Sequence, residues 1–186
     1  MAAGDLTTLA DVKAYLGMTG EAVDDDLLTR LITAASTWFK TQAAHQILSA
    51  TYTDTFDGSG GTRKVLENFP VISVTSVTVD GVAIPVRPAI GQDGYVLNDG
   101  QVDLFGFAFT TGVVNCAIVY VAGYATAPVD VAQAVIELVA WRYREKDRIG
   151  QASRTTSQGE VVTFQRDAAP PSTEAVIEQY RGAHVA

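Results

Sequence analysis

GYATAPVDVAQAVIELVAWRYREKD, residues 123–147, is the stretch whose reading decides the fold. From Val131 to Trp141 only Gln133 and Glu137 are strongly polar, and a spacing of four puts both on one narrow line of a helix. A helix apolar on nearly every other side has to be covered on most sides, whereas an ordinary surface helix carries a single apolar stripe. Pro128 suits the first turn, and Asp130 faces the positive end of the helix dipole. Past Trp141 the pattern turns charged, with Arg142, Arg144, Lys146 and Arg148 where cations oppose the negative end, and Gly150 stops the helix. The spacing therefore predicts a central apolar helix over 128–148, with the rest of the chain packed around it.

Working outward toward the N-terminus, residues 8–16 read as a short helix. Thr8 is its N-cap, Leu9, Val12 and Leu16 form its apolar face, and Gly17 is its stop. Asp24, Asp25 and Asp26 open a longer helix whose apolar residues Leu28, Leu31, Ile32, Ala35, Trp38 and Phe39 keep the 3.6 period to about Leu48.

At Thr51 the period changes to alternation. TYTDTF and a strand near Lys64–Leu66 flank the turn cluster DGSGG. In VISVTSVTV, Ile72 and Val74 are even and Val77 and Val79 odd, so one face can hold them only with a bulge near Thr75 and Ser76. Asp80-Gly81 is a strong hairpin signal, and a second turn falls at Asn98–Gly100. GVVNCAIVYVAGY, apolar throughout, reads as a strand covered on both faces. These strands make a small antiparallel β-sandwich or barrel over 51–122, inserted between helical segments 1–50 and 123–150. The fold class is thus α+β, a helical bundle with an inserted β subdomain and a C-terminal arm, 151–186. In that arm Gln151–Pro171 is polar and expected to be mobile. It ends in a short helix capped by Ser172, with Val176, Ile177 and Tyr180 as apolar contacts.

Of the 186 residues, 47% are hydrophobic and 18% charged, enough for one globular domain with an inserted part. No run of 18 apolar residues predicts a membrane span, and MAAGDLTTLADVK lacks a signal-peptide layout, so cytoplasmic residence is expected. The net charge of −8 argues against broad phosphate binding. The single cysteine, Cys116, excludes an intrachain disulfide and a multi-cysteine metal site. As a nucleophile it would need His45 or His184; a buried structural thiol is the simpler reading. The aspartates at 24–26 read as helix-capping groups rather than metal ligands, because neighbouring helix positions point apart. DGSGGTRK feeds a strand, not a helix N-terminus, and is a hairpin loop rather than a phosphate cradle. No catalytic centre, cofactor site or metal site emerges.

The order of segments resembles the head-tail connector (adaptor) proteins of tailed bacteriophages and gene transfer agents. The matching pieces are LADVKAYLGM (9–18), DDDLLTRLITAAS (24–36), TYTDTFDG (51–58), PVISVTSVTVDG (70–81), YVAGYATAPVDVAQAVIELVAWRY (120–143) and Tyr180-Arg181. The resemblance implies a non-enzymatic homo-oligomeric ring, commonly of twelve subunits. Such a ring sits under the portal, with its C-terminal segment on the portal and a stopper or tail protein on the opposite face. DNA would pass through without specific binding, and no membrane is involved. The protein would reside in the host cytoplasm during assembly and then in the virion neck. Twelve copies at −8 each carry −96, which suits a tunnel that DNA must not stick to. Candidate portal-binding residues are the basic helix end, Arg142, Arg144 and Arg148, and the terminal segment, Val176, Ile177, Tyr180 and Arg181. The segment 40–46 departs from the family pattern and takes no role from it. Rival readings are a stopper or tail-completion protein, then a ligand-binding module using the β insertion, and last an enzyme built on Cys116.

Overall fold

The computed structural model describes residues 2, 4–146, 153–155, 161–163 and 169–181, and of 153–155 and 161–163 the backbone alone. The described elements are α1 (Leu9–Leu16), α2 (Asp25–Ala43), β1 (Ala50–Gly58), β2 (Arg63–Val65), β3 (Val71–Val79), β4 (Val82–Ile84), β5 (Gly94–Asn98), β6 (Gln101–Phe105), β7 (Gly112–Ala122), α3 (Val129–Glu145), β8 (Ser153–Thr155), β9 (Val161–Thr163) and α4 (Pro171–Tyr180). They fall into two compact units, residues 1–45 with 126–186, and residues 46–125.

In the helical unit α3 packs against α1, α2 and α4. It buries Val131, Ala134, Val135, Ile136, Leu138, Val139 and Ala140, a face far wider than a single stripe. Full burial of each valine, leucine or isoleucine contributes about 1.5–3 kcal/mol, so this face outweighs any local helix preference. Thr8 caps α1 as its sequence predicts, accepting from Asp11 N at 3.1 Å, and Gly17 closes it at φ 74°. α2 stops at Ala43 rather than near Leu48. Ala44 turns left-handed at φ 50° with no glycine to announce it, and its N–H and that of His45 close back onto the last turn. The backbones of β8 and β9 pair antiparallel. Gly150 lies outside the described residues, and the mobility expected of Gln151–Pro171 falls on a segment of which residues 151–152, 156–160 and 164–168 lie outside them too.

The β unit holds a four-stranded sheet, β1-β7-β3-β4, and a three-stranded one, β2-β6-β5, both antiparallel. Neither sheet closes, which excludes the barrel alternative. Instead the two share one core, Leu66, Val77, Val79, Ile84, Tyr95, Val102, Leu104, Phe109, Cys116, Ile118, Tyr120 and Ala122. β7 is less fully covered than its apolar run suggests. Cys116, Ile118, Tyr120 and Ala122 are buried, while Ala117, Val119 and Val121 on the other face stay half-exposed. The expected bulge is present, with Thr75 slipped between the Val74↔Tyr120 and Ser76↔Val119 pairs. A second shift between Val71 and Ser73 turns Val71 toward the core and leaves Ile72 52% exposed, so Ile72 does not share the core face.

The two ends of the β unit meet. Ala50 pairs with Ala122, Tyr124 N donates to Ile47 O and Ser49 N to Tyr124 O, each at 2.8 Å. Asp80 (φ 51°) and Gly81 (φ 76°) form the type I′ hairpin that the dipeptide predicts, and Asp99 (φ 44°) with Gly100 (φ 78°) form another.

Asp80 also belongs to a polar knot where β1 and β7 lose register between Phe56↔Cys116 and Gly58↔Gly112. Asn115 Nδ2 donates to Asp80 Oδ1 and Thr110 O, both at 2.8 Å, while Asn115 Oδ1 accepts from Gly58 N at 2.9 Å. Thr110 Oγ1 donates to Asp80 as well. A Cβ on Gly58 would lie 1.8 Å from Thr110 O, so only glycine fits there. The knot holds Val114 at φ 50°, its N–H on Asp57 Oδ1 at 2.6 Å, although a β-branched side chain resists that conformation.

Two substitutions of opposite sign test these turns. A Cβ on Gly81 meets no neighbour within 4 Å, so the cost of Gly81→Val is chiefly backbone strain, expected to be about 1–2 kcal/mol and to lower the melting temperature. Val114→Gly removes strain at a side chain that is 64% exposed. After the unfolded-state entropy of glycine it should stabilise by about 1 kcal/mol, a rise of about 2–4 °C. A Gly81→Val protein as stable as the parent, or a Val114→Gly protein that melts earlier, contradicts the turn assignments.

Candidate interaction surfaces

The polar line that Gln133 and Glu137 draw along α3 is the track on which α4 lies. Gln133 Nε2 donates to Glu137 Oε1 at 3.0 Å, Ser172 Oγ to Glu137 Oε2 at 2.6 Å, and Thr173 Oγ1 to the Ala134 carbonyl at 3.1 Å. At its far end Tyr180 donates its hydroxyl to the Asp130 carboxylate, 3.0 Å from each oxygen. Ser172 is therefore not the N-cap. The helix starts from Pro170 with no side-chain cap, because the serine hydroxyl is committed to Glu137. Thr173 and Ile177 are buried, at 0% and 3% exposure.

The sequence-derived candidates accordingly separate. Ile177 lies in the interior of the helical unit, Val176 and Tyr180 are half-buried, and Arg181 is exposed beside Glu178, 2.7 Å away. On α3, Arg144 is exposed, whereas Arg142 is half-buried with its guanidinium 5.5 Å from the centre of the Trp38 ring. Burial pulls the Arg142 pKa down from its ordinary value. Arg148 and His184 lie outside the described residues. The structure thus brings Val176, Ile177 and Tyr180 onto one short helix with Arg181 just past its end, and sets Arg142 and Arg144 on another.

Asp24 shows what sequence reasoning missed. None of the three aspartates makes a side-chain cap on α2. Asp25 pairs with Lys13 at 2.7 Å, and the Asp24 carboxylate accepts from the Tyr143 hydroxyl and pairs with Lys146 Nζ at 3.1 Å. The two Asp24 contacts join the start of α2 to the end of α3 across more than a hundred residues, a distance at which no local spacing signals a pair. The Tyr143 hydrogen bond first, and Lys146 second, hold the Asp24 carboxyl below its ordinary pKa. The Lys146 ammonium is raised by Tyr143 first and then by Asp24.

Cys116 is 1% exposed, and its thiol pKa is pushed up by burial first and by the Asp80 and Asp57 charges after it, the reverse of what a thiolate nucleophile requires. Among the described residues no cluster of His, Cys, Asp and Glu could hold a metal ion, and no helix is long and apolar enough to cross a membrane.

What the site geometry offers is therefore surface rather than chemistry, and the comparisons with known proteins agree. The head completion protein family matches residues 5–183. The chain belongs to that family. Head completion proteins are structural components and not enzymes. Among curated proteins no match is found. Among solved structures the fold is similar to chains from the neck of a native gene transfer agent particle computed with C12 symmetry, at 20% identity and TM-score 0.61. It is similar to chains from the neck of the empty particle computed with C6 symmetry, at 22% and 0.61, and from the virion of the native particle, at 23% and 0.62. Each covers 100% of this chain and 94% of the other.

The Asp24 cluster makes a prediction with a definite sign. A carboxyl whose folded pKa is depressed stabilises fully above the unfolded value, about 3.9, and loses that contribution as pH falls through the folded one. Asp24→Asn should therefore melt below the parent at neutral pH, with the gap closing as pH drops below about 4. Paired thermal melts from pH 7 to 3 check this; a gap that stays constant with pH means the carboxylate is a bystander.

Proposed function

We propose that this head completion protein forms a ring in the neck of a phage-like particle, joining the capsid portal to the tail and lining the DNA exit path. The observation that carries this reading is the similarity of fold over the whole chain to chains from a neck computed with C12 symmetry. Charge supports it, since a net −8 per copy builds a channel wall that repels the DNA backbone instead of binding it. The absence of a reactive thiol among the buried groups fits a part whose work is assembly.

In this reading the portal contact uses those candidates that the fold leaves outward. Arg144, Arg181 and the half-buried Val176 face the partner, Arg148 adds charge, and Arg142 reaches it by the edge of its Trp38 stack. Ile177 and Tyr180 contribute indirectly by seating α4 on α3. Deleting α4 would expose the Val131–Ala140 face, so point changes on its outer side are the cleaner probe.

Co-sedimentation with portal rings tests the proposal. The parent chain should pellet with portal. Arg144→Glu together with Arg181→Glu should weaken binding by about tenfold at low salt, and by less at moderate salt, where exposed charges are screened. A folded parent chain that ignores portal but pellets with an assembled portal–adaptor complex is a stopper, and the adaptor assignment fails.

A further inference from the structure

The outward face of α2 is unlike that of a solvated helix. After Asp26 no acidic residue occurs on α2, although the chain as a whole carries −8. In place of Glu and Lys the face carries Thr29, Thr33, Thr37 and Thr41, each a poorer helix former than the residues usual on an exposed side. Three of their hydroxyls bond back to the helix itself. Thr33, Thr37 and Thr41 donate to the carbonyls of Thr29, Thr33 and Thr37, at 3.3, 2.8 and 3.0 Å, which turns the methyl groups outward. Between Arg30 and Trp38 the side chains of Thr29, Thr33, Thr37 and Ala34 floor a shallow trough of about 560 Å³. Its lining carries one cation, Arg30, exposed on α2, and at the other end the Trp38 ring. A trough with an apolar floor, an aromatic wall and an arginine has the composition of an interface core, not of a solubilising surface.

The same unit carries a surface of the opposite character. On the outer side of α4, Glu174, Ala175 and Glu178 are exposed, a small residue between two carboxylates at helical spacing. Glu178 is already paired with Arg181, but that pair is 63% and 49% exposed and therefore weak and exchangeable. We propose that the α2 trough is the seat of a second copy of this chain, which inserts the Glu174–Ala175–Glu178 ridge of its α4. Ala175 would meet the threonine methyls and Ala34, where small side chains allow two helices to approach closely. The carboxylates would meet Arg30. Trough and ridge are different patches, so the contact is heterologous, and repeating it from copy to copy generates a ring or an open helix, not a two-fold dimer. This rests on the ring reading above and names the contact that builds it.

The test is assembly of the full chain, followed by sedimentation velocity and native mass spectrometry over a dilution series. Ala34→Trp fills the trough, Arg30→Glu reverses its charge, and Glu174→Lys with Glu178→Lys reverses the ridge. All four positions are exposed, so melting curves should show intact folds. Each of the three variants should weaken self-association by about tenfold or more. Combining Arg30→Glu with the two lysine changes should recover most of the loss, since the opposed charges match again. A parent chain that stays monomeric throughout the series overturns the ring reading and this contact with it. A parent that forms rings which Ala34→Trp and Arg30→Glu leave unchanged, or a combined variant no better than its parts, overturns this contact and leaves the ring standing.

Discussion

The Val131–Ala140 face of α3 must leave water, and the arrangement of the helical unit follows from that requirement. Seven buried residues on one helix cannot be covered by a single neighbour, so α1, α2 and α4 all pack on it. The polar interruptions of that face are then constraints as well. Gln133 stays exposed and Glu137 half-buried, and they become the line along which α4 supplies Ser172. One apolar surface and its two polar exceptions thereby fix where the C-terminal helix goes.

The parts legible in the sequence were those with a local physical cause. The Thr8 cap, the Asp80-Gly81 turn and the extra residue at Thr75 each depend on a few consecutive residues, and the structure has them where spacing puts them. The end of α2 was not legible, because Ala44 adopts the left-handed conformation that glycine normally signals. Nor were the partners of Asp24 and Ser172. A carboxylate or hydroxyl at a helix start can cap that helix or answer a distant donor, and only the packing of α2 and α4 on α3 decides between them. For the candidate surface residues the sequence showed residue type but not exposure, so Ile177 and Arg144 looked alike until packing buried one and left the other outside.

The β unit adds a second kind of constraint. Its polar knot commits Asn115, Thr110 and Asp80 to one another and Asp57 to the Val114 N–H, and Val114 accepts a strained backbone as the result. The knot also replaces ladder pairing where β1 and β7 fall out of register, so the sheet end is held by side chains instead of by strands. Such a device fixes a short surface segment in a single conformation, which lowers the entropy lost if that segment ever meets a partner.

The clasp at the ends of the β unit, where Ile47 and Ser49 bond to Tyr124, changes how the insertion weighs on the rest of the chain. An unstructured connection of that length between α2 and α3 would oppose their pairing by about 4 kcal/mol of closure entropy. Once the β unit folds, its termini are already side by side, and the helical unit experiences a short linker instead of a long one. Folding of the insertion thus acts as a hydrogen-bonded staple that can be switched on, so that the two units are coupled through the connectivity of the chain itself. Excising the insertion and joining its ends with a few residues would leave the helical unit with nearly the same loop to close.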